Sequence, residues 1–256
     1  MFMPRPRVRI RYRKFDDLRF VGHQDLVRAW DRWLRRADVR PALTEGFHPR
    51  PRLNFPSALP VGIAGENEVL ELELIDDVEP SALAAALAGH APPGLEIVSI
   101  ERMGDGVRFS QPAGAVYEAD LPAERVDDVR RRIDAWNAAT DPAERSPATI
   151  LGLEISAAGT LRMELRLGEA GAVRPRDLLA KLELSDLETA AGVRLVRTRV
   201  DLHAHDAPTE SHPQASPECA SASTSGPPPI TNSHSGDSFA AADVASAVFD
   251  STSETT

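Results

Sequence analysis

The sequence predicts an α+β protein: two tandem copies of one β-α-β-β-α-β order, then an acidic Ser/Pro-rich tail. Three observations carry this. Residues 7–13 alternate strictly between arginine and an apolar side chain, the period of a half-buried strand. Residues 24–37 put Leu26, Trp30, Trp33, Leu34 and Ala37 at the spacing of one helical face. The order of elements over residues 7–103 then recurs over residues 116–202. That order is the one of a ferredoxin-like plait, so the expected domains are 1–103 and 115–202, with a disordered tail at 203–256.

The elements follow in turn. After the first strand and helix, residues 44–55 are extended but broken by prolines, which suits a sheet edge or a structured loop. Residues 69–75 alternate again, with Leu70, Leu72 and Leu74 inward and Glu71 and Glu73 outward. Residues 80–90 are an alanine-rich helix closed by Gly89 and Pro92, and 95–103 a fourth strand. A Gly-containing linker at 104–114 separates the copies. In the second, 116–121 is a strand and 123–139 a helix with Val126, Val129, Ile133 and Trp136 on its apolar face. Residues 150–156 and 161–167 flank a turn at Ala158-Gly159 and read as a hairpin. A helix at 175–184 and a strand at 193–202 complete the copy. The copies match in order, not in residue identity. From residue 203 on there is no Lys or Arg, and Ser, Thr, Pro, Ala and acidic residues dominate. Such a segment cannot bury enough apolar surface to offset its ordering entropy. Within it, 238–250 could fold into a short docking helix anchored by Phe239, Val248 and Phe249.

At 256 residues the chain is long enough for one or two domains. The one cysteine, Cys219, excludes a disulfide framework, an all-cysteine zinc site and an iron–sulfur cluster held by this chain alone. No apolar run reaches the roughly 20 residues that span a bilayer. Residues 1–15 are arginine-rich without an apolar core, unlike a secretory signal, so a cytoplasmic, membrane-free protein is expected. The net charge of -10 conceals an asymmetry. Residues 1–60 carry 14 Lys and Arg against 6 Asp and Glu, whereas residues 201–256 carry 8 acidic residues and no basic ones. A basic front suggests an anionic partner. Almost every cation is arginine; Lys14 and Lys181 are the lysines.

The densest stretch is 44–55, with two prolines, two arginines, a histidine and two phenylalanines. Loops of this make-up are held for a purpose, and binding residues concentrate on them. Arg50 and Arg52 could reach phosphates as bidentate donors, and Phe47 or Phe55 could stack on a base; alternatively both phenylalanines are core and both arginines solvated. His23, two residues ahead of Asp25, lies at the start of the first helix, where backbone amides favour anions, or else caps it. If His23 and His48 meet, they could act as an acid–base pair in RNA cleavage or join a metal site.

The stripe Arg5, Arg7, Arg9, Arg11 and Arg13 presents a guanidinium about every 6.6–6.8 Å, close to the phosphate spacing of an extended strand. Several RNA-binding plaits present such a basic sheet face. Against this, Glu71 and Glu73 sit on the strand expected beside it, and cross-strand ion pairs would neutralise the stripe. His203 and His205, beside Asp201 and Asp206, read as an incidental surface pair. No phosphate-binding Gly-rich loop, dinucleotide fingerprint, nucleophile elbow or His-Glu-x-x-His is present, and no metal or cofactor site is expected.

Several separate motifs occur together: Phe20-Val21-Gly22-His23-Gln24-Asp25-Leu26, Arg35-Arg36-Ala37, Glu45-Gly46-Phe47-His48-Pro49-Arg50-Pro51-Arg52, Leu59-Pro60-Val61-Gly62 and Glu71-Leu72-Glu73-Leu74. In this order they resemble the radical SAM-linked domain of unknown function, over roughly residues 7–103. The chain departs from the family's usual pattern at Gln24, where an apolar residue is common, and at Gly22, where Ser is. The resemblance implies a bacterial accessory module, often fused to or encoded beside a cobalamin-binding radical SAM protein, and also found near ribonuclease E/G-type genes. Radical SAM chemistry needs three closely spaced cysteines, so with Cys219 alone this chain would serve such an enzyme in trans.

The expected function is therefore a non-catalytic accessory protein that binds RNA or presents a substrate to a radical SAM partner, with no role for DNA. The expected ligand-binding residues are His23, Asp25, Glu45, Phe47, His48, Arg50 and Arg52, together with Arg7, Arg9 and Arg11. Two alternatives stand beside it: an endoribonuclease-like enzyme using His23 and His48, which resembles CRISPR-type repeat-processing enzymes only in topology and lacks their glycine-rich signature, and a pure protein–protein adaptor.

Overall fold

β1 (Arg7–Lys14) forms because arginine and apolar residues alternate along it, leaving one face to bury and one to keep polar. Val8, Ile10 and Tyr12 are buried. α1 (His23–Arg36) packs Leu26, Trp30, Trp33 and Leu34 onto them. The Tyr12 ring meets Trp30 edge-on at 5.1 Å between centroids, and Trp30 lies 4.6 Å from Trp33. The Trp33 indole N–H donates to the Leu87 carbonyl oxygen at 2.9 Å, which ties α1 to α2 (Pro80–Ala88). In this computed structural model, residues 5–104, 107–138, 149–168, 173–188 and 193–203 are described. Of the expected tail at 203–256, residues 204–256, with the 238–250 helix, Cys219, His205 and Asp206, lie outside them, and His203 is described.

The remaining strands are β2 (Leu53–Asn54), β3 (Ala64–Glu73), β4 (Leu95–Arg102), β5 (Pro112–Asp120), β6 (Ile150–Ile155), β7 (Thr160–Arg166) and β8 (Val196–Leu202). The helices α3 (Ala123–Ala138) and α4 (Pro175–Lys181) belong to the second half. The architecture is mixed α/β, with eight strands in one sheet and four α-helices among the described residues. The sheet runs β4-β1-β3-β8-β5-β7-β6, with β2 on β3 off that path. Pairing is antiparallel within each half, and the halves meet where Ala64 and Gly65 of β3 run parallel to Val196 and Arg197 of β8.

Most elements fall within a few residues of their expected bounds; three differ for identifiable reasons. β3 starts at residue 64 rather than 69, because its polar first half has no apolar alternation of its own and is held by the end of β1 and by the distant β8. The 44–55 stretch is strand only at β2, Leu53 opposite Leu72 and Asn54 opposite Glu71; its prolines leave too few donors for a longer ladder. α4 ends at Lys181, and a 3-10 turn at Ser185–Glu188 follows. The expected turn at Ala158-Gly159 is present, with Gly159 at φ +89°, a conformation that suits glycine.

Each half has its own core. The second gathers Ala115, Tyr117, Val129, Ile133, Met163, Leu165 and Leu178, and it also takes Leu59 and Ile63 from the segment leading into β3. At the seam lies a buried ion pair. Arg197 on β8 is 1% exposed and Glu68 on β3 is 2% exposed. Arg197 Nε donates to Glu68 Oε1 at 2.8 Å, and its second fork also reaches Glu68. The rest of the guanidinium donates to Ser57 Oγ at 2.9 Å and to the carbonyl oxygens of Ser57 and Ala58. Gly65 makes room for this pair: a Cβ there would sit 2.5 Å from Glu68 Cγ.

Lys14, also buried, donates to the Val21 carbonyl oxygen at 2.7 Å, and its burial lowers the pKa of its ammonium. Burial raises the Tyr12 and Tyr117 phenols above their usual value, with the Glu68 charge adding to the rise.

Two outcomes follow from the seam. Arg197→Met leaves Glu68 buried without its cation and should cost about 3–5 kcal/mol in urea unfolding, whereas the Glu68→Leu/Arg197→Met double variant should recover much of that loss. The two tyrosines are the only ones in the chain. Because their folded pKa values are raised, the stability they contribute is intact below the unfolded value of about 10 and is lost as pH climbs above it. An absorbance titration should show neither phenol ionising at pH ~10 until the chain unfolds.

Candidate functional site

The arginine face of β1 is largely neutralised by the neighbouring strand. In register, Arg7 lies opposite Glu73 and Arg9 opposite Glu71, and each pair closes as an ion pair, at 3.3 and 2.9 Å. Arg9 also reaches Glu101, and Arg13 reaches Glu96. Glu73 draws in Arg5 at 3.7 Å and Arg52 at 3.2 Å as well. Glu71, at 0% exposure, accepts four hydrogen bonds: from Arg9 Nε at 2.9 Å, from the Ser110 hydroxyl and backbone N–H at 2.7 Å each, and from Asn54 Nδ2 at 3.2 Å. The segment 107–110 is thereby drawn across the arginine face, where Arg7 donates to the Val107 carbonyl oxygen and lies 4.8 Å from the Phe109 ring centroid. Arg11 differs. Its cross-strand neighbours are Val69 and Ser99, so it has no carboxylate opposite, and among the described residues its contact is one of 3.5 Å with the Val200 carbonyl oxygen.

The 44–55 stretch is a small hairpin-like loop closed at its base. Thr44 N–H donates to the Arg50 carbonyl oxygen at 2.8 Å, Arg50 N–H donates to Thr44 Oγ1 at 3.0 Å, and Arg52 N–H donates to the Ala42 carbonyl oxygen at 2.8 Å. Gly46 turns the tip at φ +119°. Glu45, His48 and Arg50 are exposed, and Phe47 is fully so. Arg50 and Arg52 therefore part company. Arg52 is bound to Glu73, while the guanidinium of Arg50 has no carboxylate partner among the described residues. The two phenylalanines part as well: Phe47 faces solvent and Phe55 packs on the first core.

α1 begins at His23 with Gly22 as its N-cap residue and no side-chain cap bond, so His23 does not cap the helix. Its ring stands edge-on to Phe55, 5.3 Å between centroids. Among the described residues neither His23 nor His48 has a hydrogen-bond partner that would orient it as an acid or base. Asp25 pairs with Arg28 one turn along α1 at 2.7 Å, both exposed. Gly62 N–H donates to the Arg19 carbonyl oxygen at 2.8 Å, which brings the 59–62 motif beside the 20–26 motif. Phe20 and Val61 are both exposed there, and the Arg19 guanidinium lies 4.5 Å from the Phe20 centroid. Segments distant in sequence thus adjoin through His23–Phe55 and Gly62–Arg19.

Sequence reasoning missed Asn54 and Ser110 as partners of Glu71, and it missed the whole Glu68–Arg197 seam. The Arg/Glu register was visible in the alternation of two strands; a serine in a linker carries no comparable signal. No group of three or more His, Cys, Asp or Glu among the described residues is placed to hold a metal. No helix among them is long and apolar enough to cross a membrane.

The sequence model of the family described as "Uncharacterized protein conserved in bacteria (DUF2344)" matches residues 7–145. The chain belongs to this family. The matched region takes in the 20–26, 45–52, 59–62 and 71–74 motifs. It also runs on past residue 103 through β5 and α3, so the family's conserved unit includes the start of the second half. No curated protein matches the chain.

Glu71→Ala would leave the Ser110 hydroxyl and backbone N–H buried without their acceptor and remove the carboxylate that Arg9 and Asn54 share. It should cost about 3–5 kcal/mol in urea unfolding and should open the 103–111 segment to limited proteolysis, whereas Glu45→Ala, on the exposed loop, should do neither.

Proposed function

We propose that this protein is a non-catalytic accessory protein that binds RNA through the 43–55 loop, in the service of a radical SAM enzyme acting in trans in the bacterial cytoplasm. Each half is read as a ferredoxin-like plait. The strand orders β4-β1-β3, with β2 on the far side of β3, and β8-β5-β7-β6 support that reading.

The observation that carries the RNA reading is Phe47. It stands fully exposed on a loop closed by backbone hydrogen bonds, with His48 and Arg50 beside it. A held aromatic next to a guanidinium without a carboxylate partner is the combination that stacks on a base while meeting a phosphate. The ion pairing of Arg7 and Arg9 favours this loop over the strand face as the point of contact, since the face would have to break its pairs to engage a backbone. The radical SAM partnership rests on the resemblance of the motifs, and action in trans on the single cysteine. A protein–protein adaptor is the second reading, favoured by the exposed Phe20 and Val61 beside His23.

Filter binding of bacterial total RNA to the full chain tests the choice. Affinity should fall as salt rises. Phe47→Ala should weaken binding by about 5–150-fold, the range of one lost base stack. Arg50→Ala should reduce the salt slope by about one. No RNA affinity at low salt would remove this reading in favour of the adaptor.

A further inference from the structure

On the sheet face away from the helices, a cleft of about 420 Å³ opens between β1, the 107–110 segment and the end of β8. Its polar lining is Arg9, Arg11, Ser110, Asp201 and His203. The volume falls within the range of small-ligand sites. We propose that this cleft binds a phosphate monoester, with the Arg11 guanidinium as its principal anchor.

The charges in the cleft point to an anion. Arg9 is committed to Glu71 and Glu101. Asp201, the carboxylate in the wall, is committed to Arg199 at 3.0 Å. Among the described residues Arg11 has neither a carboxylate opposite it on β3 or β4 nor a close hydrogen bond; its contact at 3.5 Å with the Val200 carbonyl oxygen is at the limit of a hydrogen bond. A guanidinium kept in a cleft with its donors largely unused is an acceptor's site, and a bidentate oxyanion is what its fork fits.

A second donor chooses among oxyanions. The Ser110 hydroxyl is spent on Glu71 Oε1, so that donor is the His203 imidazole, which lines the cleft at the end of β8 while Arg11 lines it from β1. A planar carboxylate is satisfied by one fork, whereas a tetrahedral phosphoryl group presents oxygens to donors on several sides. The space beyond one phosphate leaves room for its organic substituent. The loop around Phe47 plays no part in this argument, so the cleft stands or falls separately from the RNA reading.

Isothermal titration of the full chain with AMP and with inorganic phosphate, at low ionic strength, tests the proposal. AMP should bind saturably and more tightly than inorganic phosphate. Arg11→Gln should weaken AMP binding about tenfold or more, the scale of hydrogen bonds to a charged group, with an unchanged thermal midpoint. Arg13→Gln removes the same charge from the same strand, outside the cleft, and should leave the affinity unchanged. No saturable AMP binding, equal affinity for the two probes, or equal weakening by the two variants would each overturn the proposal. Phe47→Ala should leave AMP affinity intact while lowering RNA affinity, which separates the two readings.

Discussion

β3 carries three carboxylates that are removed from water, and arginine meets each of them. Glu68 lies toward the helix-covered side, opposite Tyr12, and takes Arg197 from the other half of the chain. Glu71 and Glu73 lie on the opposite face and take the arginines of β1 together with Arg52. A carboxylate in such a place is costly unless its charge and its lone pairs are matched. The requirement therefore reaches outward from β3: it fixes the β1 register, draws the linker across the sheet through Ser110, anchors the base of the 44–55 loop through Arg52, and sets β8 alongside β3 at the seam.

The same constraint sorts the basic residues of the front half. Those opposite β3 carboxylates are internal counter-charges, and the excess of cations in residues 1–60 is smaller at the surface than the raw count suggests. Among the described residues, the front arginines without a carboxylate partner include Arg50 at the exposed loop and Arg11 opposite Val69 and Ser99. They lie apart, Arg50 on the exposed loop of the first half and Arg11 in the cleft between β1 and the end of β8.

Much of the fold was legible in the chain because most of its elements bury one face and state it in their periodicity. β1, α1 and the 160–166 strand fall within a residue or two of where alternation and helical spacing put them. The first half of β3 was not legible, since Ala64 to Glu68 carry no apolar alternation and are held by pairing with β8 at Ala64 and Gly65 and with β1 at Gly65 and Glu68. The site was legible in part. The motif residues stand out by composition, and the Arg/Glu opposition follows from strand alternation, but the division of labour between Arg50 and Arg52, or between Phe47 and Phe55, depends on which side of the loop base faces Glu73 and the core.

By itself the sequence determined the alternation that makes β1 and β3 partners, the apolar stripe of α1, and the family motifs, because each is a short-range pattern with a single physical reading. Only the tertiary structure decided which charges are spent. Ion pairing and burial depend on what approaches each side chain from distant elements, and that is how the front arginines, alike in the chain, became counter-ions at Glu71 and Glu73, while Arg11 has no carboxylate partner among the described residues.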